Sequence, residues 1–205
     1  MVEGERFNVI THLVGAVLAL IGTIALVLVA VATGDAWKVL SAVIYGMTLV
    51  QLYTVSVLYH RSGGSARDWL REYDHVSIYF LIAGTYTPFC LVTLHGPWGW
   101  SVLGVEWGLG VIGAVVDVLW KREPRIAPVV VYVVMGWVAV VAVMPLLHAL
   151  GTAGFFWLLA GGLFYTLGII FYSLDARLRH AHGIWHLFVI AGSAAHYYAI
   201  LRYVM

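Results

Sequence analysis

The feature that most constrains this chain is the spacing of its charges. Runs of roughly 20 residues with almost no Asp, Glu, Lys or Arg recur at about 13–32, 39–59, 76–94, 99–119, 127–147, 153–174 and 183–201. A helix rising about 1.5 Å per residue crosses a hydrocarbon layer about 30 Å thick in roughly 20 residues, so each run can span a membrane. Of the 205 residues, 62% are apolar and 10% charged, whereas a soluble domain carries about 25% charged residues. A water-soluble globular fold is excluded. The expected architecture is an all-α integral membrane protein, a seven-transmembrane helix bundle forming a single domain over 1–205. Turn residues fall between the runs at Gly34-Asp35, Gly63-Gly64, Gly96-Pro97, Pro124 and Gly151 to Gly154. The longest expected connection runs from Arg61 to Asp74. Glu3 and Glu5 precede the first run against one Arg6, not the positive flank of a signal peptide, so that run reads as an uncleaved helix.

A formal net charge of +1 offers no basic face to a nucleic-acid backbone. The single cysteine, Cys90, excludes an internal disulfide and a cysteine-based metal framework. Any metal must therefore be held by histidine and carboxylate. Orientation follows from the excess of Lys and Arg on cytoplasmic loops. With the N-terminus cytoplasmic and the C-terminus outside, Arg6, Arg61, Arg67, Arg71, Lys121, Arg122, Arg125, Arg177 and Arg179 lie inside, and only Lys38 and Arg202 outside.

That orientation gathers the histidines. His12, His60, His75, His180, His182 and His186 share the cytoplasmic side, while His95 and His148 fall in outer loops. Ser56 and His60 are four apart, as are His182 and His186, so each pair shares one helix face. Imidazoles at one depth suit zinc, whose catalytic sites use three protein ligands and leave a fourth position for water. His60, His182 and His186 are the most economical ligands, with His180 and His75 competing for the same roles. Asp74 would orient or deprotonate the metal's water, and Ser56 would hydrogen-bond that carboxylate or water. His12 reads as a supporting or interfacial residue. Asp117 reads as an ion-pair partner of Lys121 or as a functional group at membrane depth. Glu106 has no evident role, and His196, about 15 Å into the last span, would donate to a carbonyl or shape a lipid cavity. Gly84, Gly108, Gly110, Gly113, Gly161 and Gly162 permit close helix approach. Pro88 and Pro145 should bend their spans and open a cavity.

These residues stand in recognisable motifs: Glu5-Arg6-Phe7-Asn8 with Thr11-His12, Ser56 through His60, Asp74-His75, Ala83 through Pro88, His182-Gly183-Ile184-Trp185-His186 and His196-Tyr197. In them the chain resembles the bacterial hemolysin III-type proteins of the progestin and adipoQ receptor superfamily, which includes the adiponectin receptors. The resemblance implies a seven-helix bundle with a zinc ion near its cytoplasmic side. It matches three ligands to His60, His182 and His186, a carboxylate acting through water to Asp74, and a serine to Ser56. The stretch between His60 and Asp74 is shorter than in the adiponectin receptors, which leaves His75 as a substitute for Asp74. The implied activity is zinc-dependent hydrolysis of a lipid amide such as a ceramide, in membrane lipid homeostasis, in a bacterial inner membrane. Membrane lipid is the implied partner. The alternatives are a non-enzymatic sensor or receptor braced by structural zinc, and cytolysis.

Overall fold

A computed structural model describes residues 4–120 and 125–205, and among them there is no strand. The helices are α1 (Arg6–Ala32), α2 (Ala36–Arg61), α3 (Gly64–Pro88), α4 (Pro97–Trp120), α5 (Ile126–Trp137), α6 (Val143–Ser173) and α7 (Ala181–Tyr203). Six helical runs among the described residues are long and apolar enough to cross a membrane, with Ile126–Ser173 forming one run of 48 residues. The two spans expected at 127–147 and 153–174 lie in this one run, which passes through a 3-10 stretch at Val138–Ala142 and is broken at Gly151, whose φ of 67° and ψ of 173° are not helical. Only a residue without a Cβ adopts such angles cheaply.

The expected long connection from Arg61 to Asp74 is not a loop. Only Ser62 and Gly63 separate α2 from α3, and α3 begins at Gly64. Arg67, Asp68, Arg71 and Glu72 are charged but good or tolerable helix formers, so the helix simply continues out of the apolar layer. Asp35 caps α2 by accepting from the backbone nitrogens of Trp37 at 2.7 Å and Lys38 at 3.3 Å, which satisfies two otherwise orphaned donors.

Helices α2, α3 and α7 form the buried centre, with α1, α4 and the 126–173 run around them. The outer helices turn Leu18, Ile21, Leu28, Ile112 and Leu119 outward. Such a surface would aggregate in water and is at rest in lipid. Trp37, Trp98 and Trp100 near one end of the bundle and Trp69 and Trp120 near the other are also exposed, as interfacial belts are.

Both prolines stand next to departures from regular α-helix. Pro88 closes the regular part of α3, and Phe89–Leu94 continues as a π-helical turn. Pro145 stands in the first turn of α6 after a 3-10 stretch, Val138–Ala142. A proline cannot supply the amide for the preceding turn and crowds its carbonyl, so both irregular stretches flank a proline. Polar groups inside the centre are mostly paired: the Tyr53 and Tyr165 hydroxyls meet Ser193 Oγ at 2.8 and 2.7 Å. Asp117 pairs with Arg125, whose Nη1 also reaches Glu72 at 3.7 Å. The expected partner Lys121 lies outside the described residues.

Glu106 differs. It is fully buried, and neither carboxyl oxygen has a hydrogen-bond partner among the described residues. An unsatisfied buried polar group costs about 1–3 kcal/mol. Glu106→Met is therefore expected to stabilise the bundle by about that amount, read as a higher unfolding midpoint in a denaturant titration in detergent; a lower midpoint would show that the carboxyl has a partner.

Candidate metal centre

The start of α1, the end of α2, the starts of α3 and α7 and the segment after α6 meet at one end of the bundle. There His60, His182 and His186 come together, each offering one nitrogen, and these nitrogens lie within 4.8 Å of one another. The ring centroids are 4.8 to 5.1 Å apart and every pair is inclined by about 70°. Three rings thus stand edge to face around a common point. His60 and His186 are buried and His182 is half-buried.

The hydrogen bonds decide what the rings present to that point. His60 Nδ1 donates to Glu5 Oε2 at 2.8 Å, and His182 Nδ1 donates to Asp175 Oδ2 at 3.0 Å. His186 Nδ1 lies 3.1 Å from Thr11 Oγ1 and 3.3 Å from the Asn8 carbonyl. The Thr11 proton is committed to the Phe7 and Asn8 carbonyls, so the imidazole is the donor there too. This chemistry of the partners assigns all three rings the Nδ1–H tautomer. Their Nε2 atoms then carry lone pairs, and all three are buried without a hydrogen-bond partner. Inward lone pairs backed by outward donors are the arrangement that metal-binding histidines adopt. The group could hold a metal ion.

Around the rings lies an outer layer. Glu5 takes the His60 bond on one oxygen and the Arg67 guanidinium on the other at 2.6 Å. The His60 hydrogen bond, helped by Arg67 and Asn8 and opposed by burial, holds the Glu5 carboxyl down at about 2. The bond from His182 likewise lowers Asp175 below the usual carboxylate range. Both groups therefore remain ionised across the neutral range and keep their histidines oriented. Removing such an outer partner typically costs 10- to 100-fold in metal affinity. Glu5→Ala is accordingly expected to weaken metal binding by about 10- to 100-fold in a chelator competition with all three rings present; unchanged affinity would leave Glu5 as a folding contact only.

The other residues singled out in the sequence fall near the three rings. Asp74 is buried, lines an apolar cavity, and faces Ser56, His182 and Arg125. Ser56 Oγ is 2.7 Å from His12 Nδ1. The hydroxyl expected to serve Asp74 or water alone thus also serves His12, because α1 packs on that face of α2. The His12 ring stacks on His186, centroids 3.4 Å apart and planes 12° from parallel. His75 and His180 are not part of the three-ring group. His75 lines the cavity, and His180 caps α7 in a left-handed conformation with its ring edge-on to Phe7. Sequence reasoning passed over Glu5, Asp175, Thr11 and the Asn8 carbonyl as partners of the rings. Glu5, Asn8 and Thr11 stood in the first recognisable motif, but a single Asp seven residues before His182 carries no periodic signal.

A family profile described as haemolysin-III related matches residues 2–197, which include the whole histidine cluster. The chain belongs to the haemolysin III-related family. It is 41% identical to hemolysin-3 of Bacillus cereus over 205 residues, covering 100% of this chain and 93% of that protein. It is 38% identical to a hemolysin-3 homolog of Bacillus subtilis (strain 168) over 203 residues, or 98% and 95% of the two chains. The human monocyte to macrophage differentiation factor is 32% identical over 176 residues, 82% of this chain and 72% of that one. The haemolysin III resemblance thus extends into the progestin and adipoQ receptor-type superfamily. Family membership and the apolar helices together make this a multi-pass membrane protein.

Proposed function

We propose that the chain is a zinc-dependent hydrolase of lipid amides, acting on ceramide-like substrates within the membrane. One observation carries the reading: three buried, unpartnered Nε2 atoms belong to rings held close together, each backed by an outer hydrogen bond, and His12, stacked on His186, lines an apolar cavity together with the Asp74 carboxyl. His60, His182 and His186 would hold the ion. An all-imidazole set suits zinc, and three protein ligands leave one position free. When bound, zinc supplies Lewis acidity toward the amide carbonyl and brings the pKa of water toward neutrality.

The remaining steps fall to residues of the chain. Asp74 takes a proton from the attacking water on its carboxylate and returns it to the departing amide nitrogen as the C–N bond breaks, leaving a fatty acid and an amine. Ser56, held by His12, steadies the Asp74 carboxyl. Ile78, Leu81, Ile82, Val129 and Ile169 supply apolar walls for the acyl chain and keep bulk water from it.

Forty-eight helical residues would measure about 72 Å as one straight rod, more than twice the hydrocarbon thickness. The run then crosses twice, turning at Gly151, for seven crossings in all. Gly154 packs on Tyr203 at the far end of α7, which supports a turn remote from the histidines. The cationic loops favour a cytoplasmic N-terminus and an outer C-terminus, in a bacterial inner membrane. The test is fatty-acid release from a ceramide by zinc-loaded protein in sealed vesicles. The expected result is release that a chelator stops, with vesicle contents retained. Leakage without release would favour lysis, the activity the Bacillus relatives' name denotes, and neither effect would favour a sensor.

A further inference from the structure

The cavity beside Asp74 continues past its own walls. A second one adjoins it, and Thr85, Tyr86, Gly136, Trp137, Gly162 and His196 line both. These six residues form a waist between two apolar chambers. The prolines explain the second chamber, since its walls include Phe89, Cys90 and Leu94 from the π-helical turn and Ala139, Val140 and Ala142 from the 3-10 stretch.

The polar atoms of the waist are satisfied within the protein, with one exception. The Thr85 hydroxyl donates to the Leu81 carbonyl at 2.7 Å. The Tyr86 hydroxyl donates to the Gly136 carbonyl at 3.1 Å and accepts from the Ala139 amide at 2.9 Å. Trp137 Nε1 donates to Thr166 Oγ1 at 3.1 Å. His196 differs: its Nε2 lies 3.0 Å from the Leu158 carbonyl, which only accepts, so Nε2 carries the proton and Nδ1 the lone pair. That Nδ1 is buried and has no partner among the described residues. The ring cannot swing away to find one on α6, because it is wedged against Gly161, where a Cβ would come within 2.2 Å of Nε2.

A fixed acceptor without a donor, inside a bundle shielded from bulk water, is a binding element for a ligand that brings the donor. His196 follows His186 by ten residues on α7, or about 15 Å along the helix axis. An acyl chain with its carbonyl at the three rings would pass His196 part-way along its length. We propose that His196 is a specificity-determining residue that reads a hydroxyl borne on the middle of the acyl chain, so that hydroxylated fatty acyl groups are the preferred occupants. The inference rests on the lipid-binding reading above and adds the substrate class to it.

Oleic and ricinoleic acid differ only by a mid-chain hydroxyl, and their binding is measurable without turnover. In purified protein in nanodiscs, equilibrium dialysis of the radiolabelled acids is expected to show ricinoleic acid bound about tenfold more tightly, the worth of one buried hydrogen bond. His196→Phe keeps a ring in the Gly161 niche and removes the acceptor. It is expected to abolish the preference, so that ricinoleic and oleic acid bind with equal affinity. Equal affinities in the wild type, or a preference that survives in the variant, would overturn the role of His196 and leave the lipid reading standing. Binding of neither acid would overturn both. The wild-type comparison stands without the variant should the substituted chain not fold.

Discussion

Elemental analysis of the detergent-purified protein is expected to give about one zinc per chain, falling to background in His60→Ala, His182→Ala and His186→Ala alike. Each ring contributes one of three lone pairs, and its Nδ1 is already occupied by an outer partner, so no ring can exchange roles with another. His12→Ala is the informative control. Its ring stacks on His186 and also has a buried, unpartnered Nε2, yet it lies outside the three-ring group. Zinc is expected to stay in that variant, and its loss would enlarge the ligand set to four. Thermal unfolding supplies a second readout. At free zinc about 100-fold above the dissociation constant, an ion bound only to the folded state stabilises it by about 2.7 kcal/mol. The wild type and His12→Ala should show that shift and the three ligand variants should not. Wild-type protein that takes up no zinc when it is supplied would remove the hydrolase proposal and leave the three clustered imidazoles unexplained.

The membrane class was legible because it depends on a coarse quantity, the length of uncharged runs against the thickness of a bilayer. Helix boundaries were less so where a helix leaves the apolar layer. Charges at Arg67, Asp68, Arg71 and Glu72 read as a loop, but helical propensity is indifferent to whether the surroundings are lipid or water, and α3 begins at Gly64. The same reasoning explains the run from Ile126 to Ser173, where one glycine with a positive φ interrupts the helix and no polar loop marks the place. At the candidate site, the convergence of His60, His182 and His186 could be anticipated because i,i+4 spacing and a shared membrane depth restrict position strongly. Their outer partners could not. Glu5 and Asp175 reach the rings through tertiary contacts across 55 and 7 residues, and a lone carboxylate in a connecting segment carries no pattern. His196 could be placed inside the last span by counting, but its unpaired acceptor emerges only from the packing against Gly161 and Leu158.

Asp74→Asn is expected to lower the rate of lipid-amide hydrolysis by about 10²- to 10⁴-fold while zinc content stays at about one per chain. The substitution preserves the volume of a buried side chain that lines the cavity and can still hydrogen-bond with Ser56. What it removes is basicity: an amide neither accepts the proton of the attacking water nor returns it to the leaving nitrogen. A purely structural role would give the opposite split, with the rate unaffected and any loss appearing in folding or metal content. The pH profile separates the cases further. In the wild type the rate should fall on the acid side as the Asp74 carboxylate is protonated, and that limb should vanish in the variant because the group that titrates is gone. Ser56→Ala should retain the limb and displace it, since the hydroxyl acts on the carboxyl and does not replace it. An Asp74→Asn protein that releases fatty acid at the wild-type rate, with an unaltered acid limb, would take Asp74 out of the chemistry and reduce the metal to a brace between α2 and α7.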